Sequence, residues 1–510
     1  MMIQFSGNLS CRPRLLVAVT LLAMAGSATA DIQLPNIFSD SMVLQRDREN
    51  RVWGHADAGE NVTVTIGDQF HRAVADDAGN WHVMLSPLSP GDPLTMTVKG
   101  NNEVEFEDVL VGEVWICSGQ SNMAMTVNNS NDADLERAAA EFPQIRMINF
   151  PRMGTQEPVW SHKGSSWMVC SPETVGQFSA VGYFFGRQLY QTIDVPIGLI
   201  NNAWGGSACE AWINRDLLTA DPAYQPMLER WNAMQNSYAA LKAKSSLNDA
   251  EKKQLAGLQR QLSGNHNPSN IYNGVLKSHL GYGIRGAIWY QGESNASRAY
   301  QYRDLFPLMI SSWRDEWGQG DFPFYWVQLA DFRNESEDPG ESSWAELREA
   351  QTMTMDKLDN TGEAVIIDTG EGYDIHPKDK QTVGRRLARW ALAKQYGVNI
   401  PCQSPRYRSM EVSGNSITLT FDHVHNGWRP FDVREARGFA IAGDDQKFVW
   451  ADAKLLKDGR LQVSSTEVAA PVAVRYGWAE NPVLNMFNNS GLPLTPFRTD
   501  EWPGLTVDAK

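Results

Sequence analysis

Cysteine is scarce in this chain. Five occur in 510 residues, and no two form a CxxC pair, so no structural zinc site is indicated. Basic residues are outnumbered: 45 Lys and Arg stand against 60 Asp and Glu, a formal charge of −15. An acidic surface speaks against nucleic-acid binding, because phosphates need a basic patch. Beyond the N-terminus no apolar run is long enough to span a membrane. Repeats and low-complexity tracts are also missing. What remains, at 42% hydrophobic and 21% charged residues, is the composition of an ordinary globular protein. Its length calls for two or three domains.

Residues 1–30 read as a secretory signal peptide. Arg12 and Arg14 give the positive flank, Leu15 to Ala25 the apolar core, and Ala28-Thr29-Ala30 the small residues at a cleavage site. Cys11 precedes the apolar core, the wrong place for a lipid anchor. An exported protein follows, periplasmic or secreted, with no membrane insertion after cleavage. Loss of Arg12 and Arg14 takes the formal charge from −15 to −17. Cys117, Cys170, Cys209 and Cys402 remain, and an oxidising compartment allows one or two disulfides or buried free thiols. Their pairing and the oligomeric state stay open.

Three regions succeed one another. Residues 31–108 read as all-β: short strand-like runs such as Val62–Ile66 and Trp81–Leu85 are separated by Gly, Asp, Asn and Pro. From 109 to 400 strands alternate with helices, the pattern of a parallel sheet with crossover helices. Its strands are expected at Val114–Cys117, Ile197–Ile200, Ile284–Tyr290, Phe324–Leu329 and Ala364–Ile367. Helices are expected from Ser179 to Ile193, capped by Ser179, and from Lys378 to Gln395, with a helical insertion near 222–262. Residues 405–510 return to β. The two β regions flank the core in the chain and are expected to pack together beside it.

Polar clusters follow four of these strands directly: Ser118–Asn122, Asn201–Ser207, Gln291–Asn295, and Asp368–Gly370 with Asp374–Pro377. In an open parallel sheet the strand ends lie along one edge, where ligands bind. Taken singly, each cluster reads as an ordinary turn or helix cap. Together they supply a reaction. Ser121, at a strand-to-helix turn, is the candidate nucleophile and needs a base to remove its proton. His376 is the candidate base, and Asp374 is placed to orient it. The Ser121 N–H, the Gly206 N–H and the Asn295 amide are candidate donors to an oxyanion. Gln120, Gln291 and Glu293 are read as groups that hold these loops. No metal or cofactor is called for.

GQSNM at 119–123, WGGS at 204–207 with Glu210 and Trp212, WYQGESN at 289–295 and DIHP at 374–377 together resemble the sialate O-acetylesterase family of SGNH hydrolases. The motifs occur in the family's order, and the likeness covers roughly 109–400. The resemblance implies a flavodoxin-like α/β core, removal of O-acetyl groups from sugars by a serine mechanism, and no metal. Under it the nucleophile maps to Ser121, the glycine donor to Gly206, the asparagine to Asn295 and the base to His376. The family's acid and base are usually spaced Asp-x-x-His. Here the spacing is Asp-x-His, so Asp368 or a backbone carbonyl competes with Asp374 for the third role.

The substrate expected is an acetylated oligosaccharide. The lack of a basic cluster beside the motifs favours a neutral plant cell-wall sugar such as xyloglucan, with 9-O-acetyl sialate as the alternative. A non-catalytic glycan-binding protein would bind sugars and release no acetate. A lipase or thioesterase would favour long acyl chains.

Overall fold

The computed structural model describes residues 1, 2, 4 and 31–509. The expected signal peptide and Cys11 therefore lie outside the described residues.

The molecule is built on one long strand, β1 (Glu103–Gly119). Its first half pairs antiparallel with Leu94–Lys99 and parallel with Val43–Gln45, both in the N-terminal β region. Its second half is the central strand of a parallel sheet. The other strands are β2 (Phe142–Asn149), β3 (Met168–Cys170), β4 (Ile197–Asn201), β5 (Gly286–Tyr290), β6 (Phe324–Val327) and β7 (Thr361–Ala364). Their order is β7-β6-β5-β1-β4-β2-β3, all parallel except the edge strand β3. The chain thus crosses to opposite sides of β1, leaving a crevice at the C-terminal end of that strand.

Both faces of the sheet are covered, which is why its strands are apolar throughout rather than alternating with polar residues. Side chains of one strand point alternately to two cores. Val114, Ile116, Ala287, Trp289, Phe324 and Trp326 face one core. Trp115, Cys117, Ile288, Tyr290, Tyr325 and Val327 face the other. Helix Ala180–Ile193 closes the second core with Val181, Phe184, Phe185 and Leu189, and helix Lys380–Lys394 with Val383, Leu387 and Trp390. Each such buried side chain stabilises the fold by about 1.5–3 kcal/mol. Ser179 caps the first of these helices as expected, accepting from Gly182 N–H at 3.1 Å.

Several expectations are corrected. The N- and C-terminal β regions do not pack together: among the described residues no hydrogen bond, ion pair or hydrophobic cluster joins them. The reason is where each is tied. The N-terminal region shares β1 with the core and is pinned by buried Glu113, which accepts from Arg46 at 2.5 Å and Arg285 at 2.6 Å. The C-terminal region docks instead on helix Ser343–Lys357. Arg498 donates to Glu349 at 2.7 Å, and Arg406 pairs with Asp356. Arg348, wholly buried, donates to the carbonyls of Leu329, Ala330, Ala479 and Glu480. The last core strand ends at Ala364, whose carbonyl accepts Gln328 N–H; Val365–Ile367 run on buried, with the Val365 carbonyl taken by Arg386 and that of Ile366 by Thr369 instead of by a neighbouring strand. The insertion is two helices, Gln225–Lys242 and Asp249–Leu262, the second opened by an Asn248–Glu251 capping box. Of the two cysteine alternatives, free thiols are found: Cys117, Cys170 and Cys209 are buried, and burial pushes Cys170 up to about 12.

Glu363 on β7 is buried among Thr352, Trp326 and Gln328, all of which donate to it, and burial pushes its carboxyl up to about 7. In the unfolded chain this acid ionises near 4.5. Between those values the unfolded state releases a proton that the folded state keeps, so the group's contribution is full below 4.5 and is lost as pH rises to about 7. Glu363→Gln mimics the protonated acid. Its melting temperature relative to the parent should therefore climb across that pH window and level off above it. A difference flat in pH would show that Glu363 is ionised in the fold.

Candidate active site

The crevice beside β1 is assembled from the four loops that follow β1, β4, β5 and β7. At the end of β1, Gly119 has φ +130°, and a Cβ there would lie 2.2 Å from the Tyr290 carbonyl oxygen, so only glycine lets the two strands pass. Gln120 is extended and its N–H returns to Tyr290 O at 2.9 Å. The chain then turns into the short helix Ser121–Ala124. Ser121 is thus the first helical residue, with Gln120 in the capping position.

His376 comes from the loop after β7, just ahead of helix Lys380–Lys394, which Asp379 caps through Thr382 N–H at 2.9 Å. Its Nε2 lies 2.8 Å from Ser121 Oγ. Asp374 Oδ1 accepts the His376 backbone N–H at 2.9 Å and stands 3.5 Å from the ring Nδ1. The short Asp-x-His spacing explains this: the carboxylate closes a turn onto the backbone two residues on, and the ring is left at longer range. That backbone bond, with Lys378 Nζ at 3.3 Å, holds the Asp374 carboxyl below its ordinary value. Asp368, the competing candidate, is committed elsewhere, in a two-pronged pair with Arg386 at 2.5 and 2.7 Å.

Gly205 lies against the nucleophile: a Cβ on it would stand 3.4 Å from Ser121 Cβ. Gly206 has φ +71°, and its carbonyl is held by His266 Nε2 at 2.7 Å and Ser294 Oγ at 2.9 Å. Among the described residues neither the Ser121 N–H nor the Gly206 N–H has an acceptor. Two backbone donors are therefore available on the turns that meet at Ser121 Oγ.

Asn295 is placed differently from expectation. Its side chain is wholly buried, its Nδ2 donates to Glu210 Oε2 at 2.9 Å, and its Oδ1 accepts from Cys209 N–H and Gln291 Nε2. A donor enclosed and engaged in this way does not face an oxyanion. The expectation that Gln120, Gln291 and Glu293 hold the loops agrees with their contacts. Gln291 joins Ser207 O, Asn295 and Tyr302. Gln120 Oε1 accepts Gly292 N–H at 3.3 Å.

Beneath the Ser121–His376 pair runs a buried network that the sequence reasoning missed. Asn122 Nδ2 donates to Glu293 Oε1 at 2.7 Å and to the carbonyl of Ile375, the residue before His376, at 3.0 Å. Asn122 Oδ1 accepts from Lys380 Nζ at 2.6 Å. Lys380 is fully buried, 5.2 Å from the centre of the Tyr290 ring. Burial pushes the Lys380 amine down to about 7, against the pull of Glu293. Burial raises Glu293 in turn. One amide thus ties the nucleophile turn to the histidine loop. A signal for Lys380 was present: it lies three residues before Val383 and seven before Leu387, on the apolar face of its helix. No group of three or more His, Cys, Asp or Glu side chains suited to a metal ion occurs among the described residues.

A serine against a histidine, with free backbone donors on a sheet's ligand-binding edge, is the equipment of a hydrolase that acts through a nucleophilic hydroxyl. The comparisons agree with that class. A family model described as carbohydrate esterase, sialic acid-specific acetylesterase, matches residues 111–246 and 264–392. Mouse sialate O-acetylesterase is 30% identical, over 94% of this chain and 97% of its own length. The human protein of that name is 28% identical over 96% of this chain and 97% of its own. The crystal structure of XAC1771, a carbohydrate acetylesterase from Xanthomonas citri, superposes with a TM-score of 0.79 at 37% identity, covering 92% of this chain and all of that one. The chain belongs to the sialic acid-specific acetylesterase family of carbohydrate esterases and is an O-acetylesterase.

Proposed function

We propose that the chain is an SGNH-type serine esterase that removes acetyl groups from a neutral plant cell-wall oligosaccharide such as xyloglucan, after export from the cell. The 2.8 Å contact of His376 Nε2 with Ser121 Oγ carries the mechanism. Ser121 Oγ attacks the acetyl carbonyl as His376 takes its proton. The Ser121 and Gly206 N–H groups receive the oxyanion, and Gln120, whose amide nitrogen has no acceptor among the described residues, is the candidate for a third donor. Asp374 offsets the charge of the imidazolium. Collapse breaks the bond to the sugar oxygen, which takes the proton from His376. Water, deprotonated by His376, then releases acetate from the acetyl-serine.

Support for export is the signal-like pattern of residues 1–30, and among the described residues no helix is long and apolar enough to cross a membrane. Support for a neutral sugar is the charge beside the histidine loop. The adjoining cavity has two carboxylates, Glu335 and Glu480, and one cation, Arg333, so an anionic sugar meets net repulsion. One observation favours sialate instead: Arg333 makes no ion pair among the described residues and so is available to a substrate carboxylate. Acetate release separates the readings. Acetylated xyloglucan oligosaccharides should be turned over in preference to acetylated xylan, 9-O-acetyl sialic acid and a long-chain ester. Preference for the sialate would select the second reading, and turnover of the long-chain ester alone would contradict both.

A further inference from the structure

We propose that this site, on the reading of it as a sugar deacetylase, takes a chain of several sugar units rather than one, and that the chain lies across two joined cavities running from the histidine loop onto the C-terminal β region. The first cavity, of about 660 Å³, is lined by Phe332, Arg333, Glu335, Gly372, Tyr373 and Glu480. Gly372 and Tyr373 belong to the loop that carries His376, with Tyr373 three residues before it, so this cavity borders that loop. The second, of about 520 Å³, is lined by Glu335, Arg429, Phe431, Asn481, Val483 and Phe487, among others. Glu335 is common to both, and the neighbours Glu480 and Asn481 line one each. Either volume falls in the range of a small-ligand pocket, and two in succession exceed what one sugar fills.

Three chain segments meet at the first cavity, and hydrogen bonds join them. Arg333 N–H donates to Gly372 O at 2.9 Å, Asn481 Nδ2 to Arg333 O at 2.7 Å, and Phe332 N–H to Glu480 O at 3.1 Å. The histidine loop is thus hydrogen-bonded, through Arg333, to the C-terminal region, and buried Arg348 ties two of these segments from beneath through the carbonyls of Ala330, Ala479 and Glu480.

The chemistry presented suits a neutral glycan. Tyr373, which lines the first cavity, is 96% exposed, and Phe431, which lines the second, is 59% exposed. Exposed rings offer apolar faces to the C–H faces of sugar rings. Arg333, Asn334, Glu335, Arg429 and Asn481 supply donors and acceptors for hydroxyls between them. Cations and carboxylates are interspersed, which fits hydroxyl recognition rather than a polyanion.

The test compares kcat/KM for acetylated xyloglucan oligosaccharides, acetylated glucose and 4-nitrophenyl acetate in the parent, Phe431→Ala and Tyr373→Ala. The parent should favour the oligosaccharide over acetylated glucose. Each variant should lower the ratio of oligosaccharide to 4-nitrophenyl acetate kcat/KM about tenfold, mainly through KM. Tyr373 is too exposed for its loss to disturb folding. Equal use of glucose and oligosaccharide esters, or an unchanged ratio in both variants, would overturn the proposal. A fully active Ser121→Ala protein would instead overturn the serine mechanism, so the two failures are distinct.

Discussion

Ser121→Ala and His376→Ala should each lower kcat by about 10⁴-fold or more while the melting temperature stays near that of the parent. Ser121 Oγ and His376 Nε2 contact each other at 2.8 Å, and neither side chain is part of a hydrophobic core. The double variant should be little worse than either single one, because each step needs both groups. Asp374→Ala should cost far less, about tenfold. Its carboxylate is half-exposed and 3.5 Å from the ring, so its electrostatic effect on the imidazolium is screened. That ordering, serine and histidine far above aspartate, separates this geometry from a tightly coupled triad. An Asp374→Ala loss as large as that of Ser121→Ala would contradict it.

Asn122→Ala should give the next largest effect: kcat lower by about 10²-fold, with KM close to the parent value. No substrate contact is assigned to Asn122. It acts through position, bonding Glu293, Lys380 and the Ile375 carbonyl at once, and so holding the histidine loop against the serine turn. Removing the amide also leaves buried Lys380 and Glu293 without this partner, at a cost of about 1–3 kcal/mol in stability. Activity assayed well below the melting temperature distinguishes the two consequences. A purely structural role would restore normal kcat there. A positioning role leaves kcat depressed in fully folded protein, and that is the expected result.

Much of this site is legible in the sequence because four strands end in polar clusters, and a parallel sheet gathers such ends along one edge. That logic brought Ser121, Gly206 and His376 together from positions far apart in the chain. It says nothing about where a side chain points inside a tight turn, and there it failed. Asn295 stands in the helical turn Glu293–Arg298, which aims its amide inward at Glu210. The packing of the β regions was hidden for a different reason. Chain adjacency suggested that they meet, whereas paired charges decide where each is tied: Glu113 with Arg46 and Arg285 on one side, Glu349 with Arg498 and Asp356 with Arg406 on the other. The strand expected at Val114–Cys117 is the end of a longer one, β1, which begins at Glu103. Glu103 and Glu105 alternate with Val104 and Phe106, the pattern of a strand with one wet face, until the register shifts before Val109.

The measurement closest to the central claim is intact-protein mass spectrometry after acid quenching of the enzyme during turnover of an acetylated xyloglucan oligosaccharide. Peptide mapping of the quenched sample should place one added acetyl group on Ser121. An activated acetyl ester, whose leaving group departs readily, should raise the acetylated fraction of the parent, since deacylation then limits turnover. Turnover with no acetyl group at Ser121 under either condition, in a protein whose Ser121→Ala variant remains active, would contradict the account.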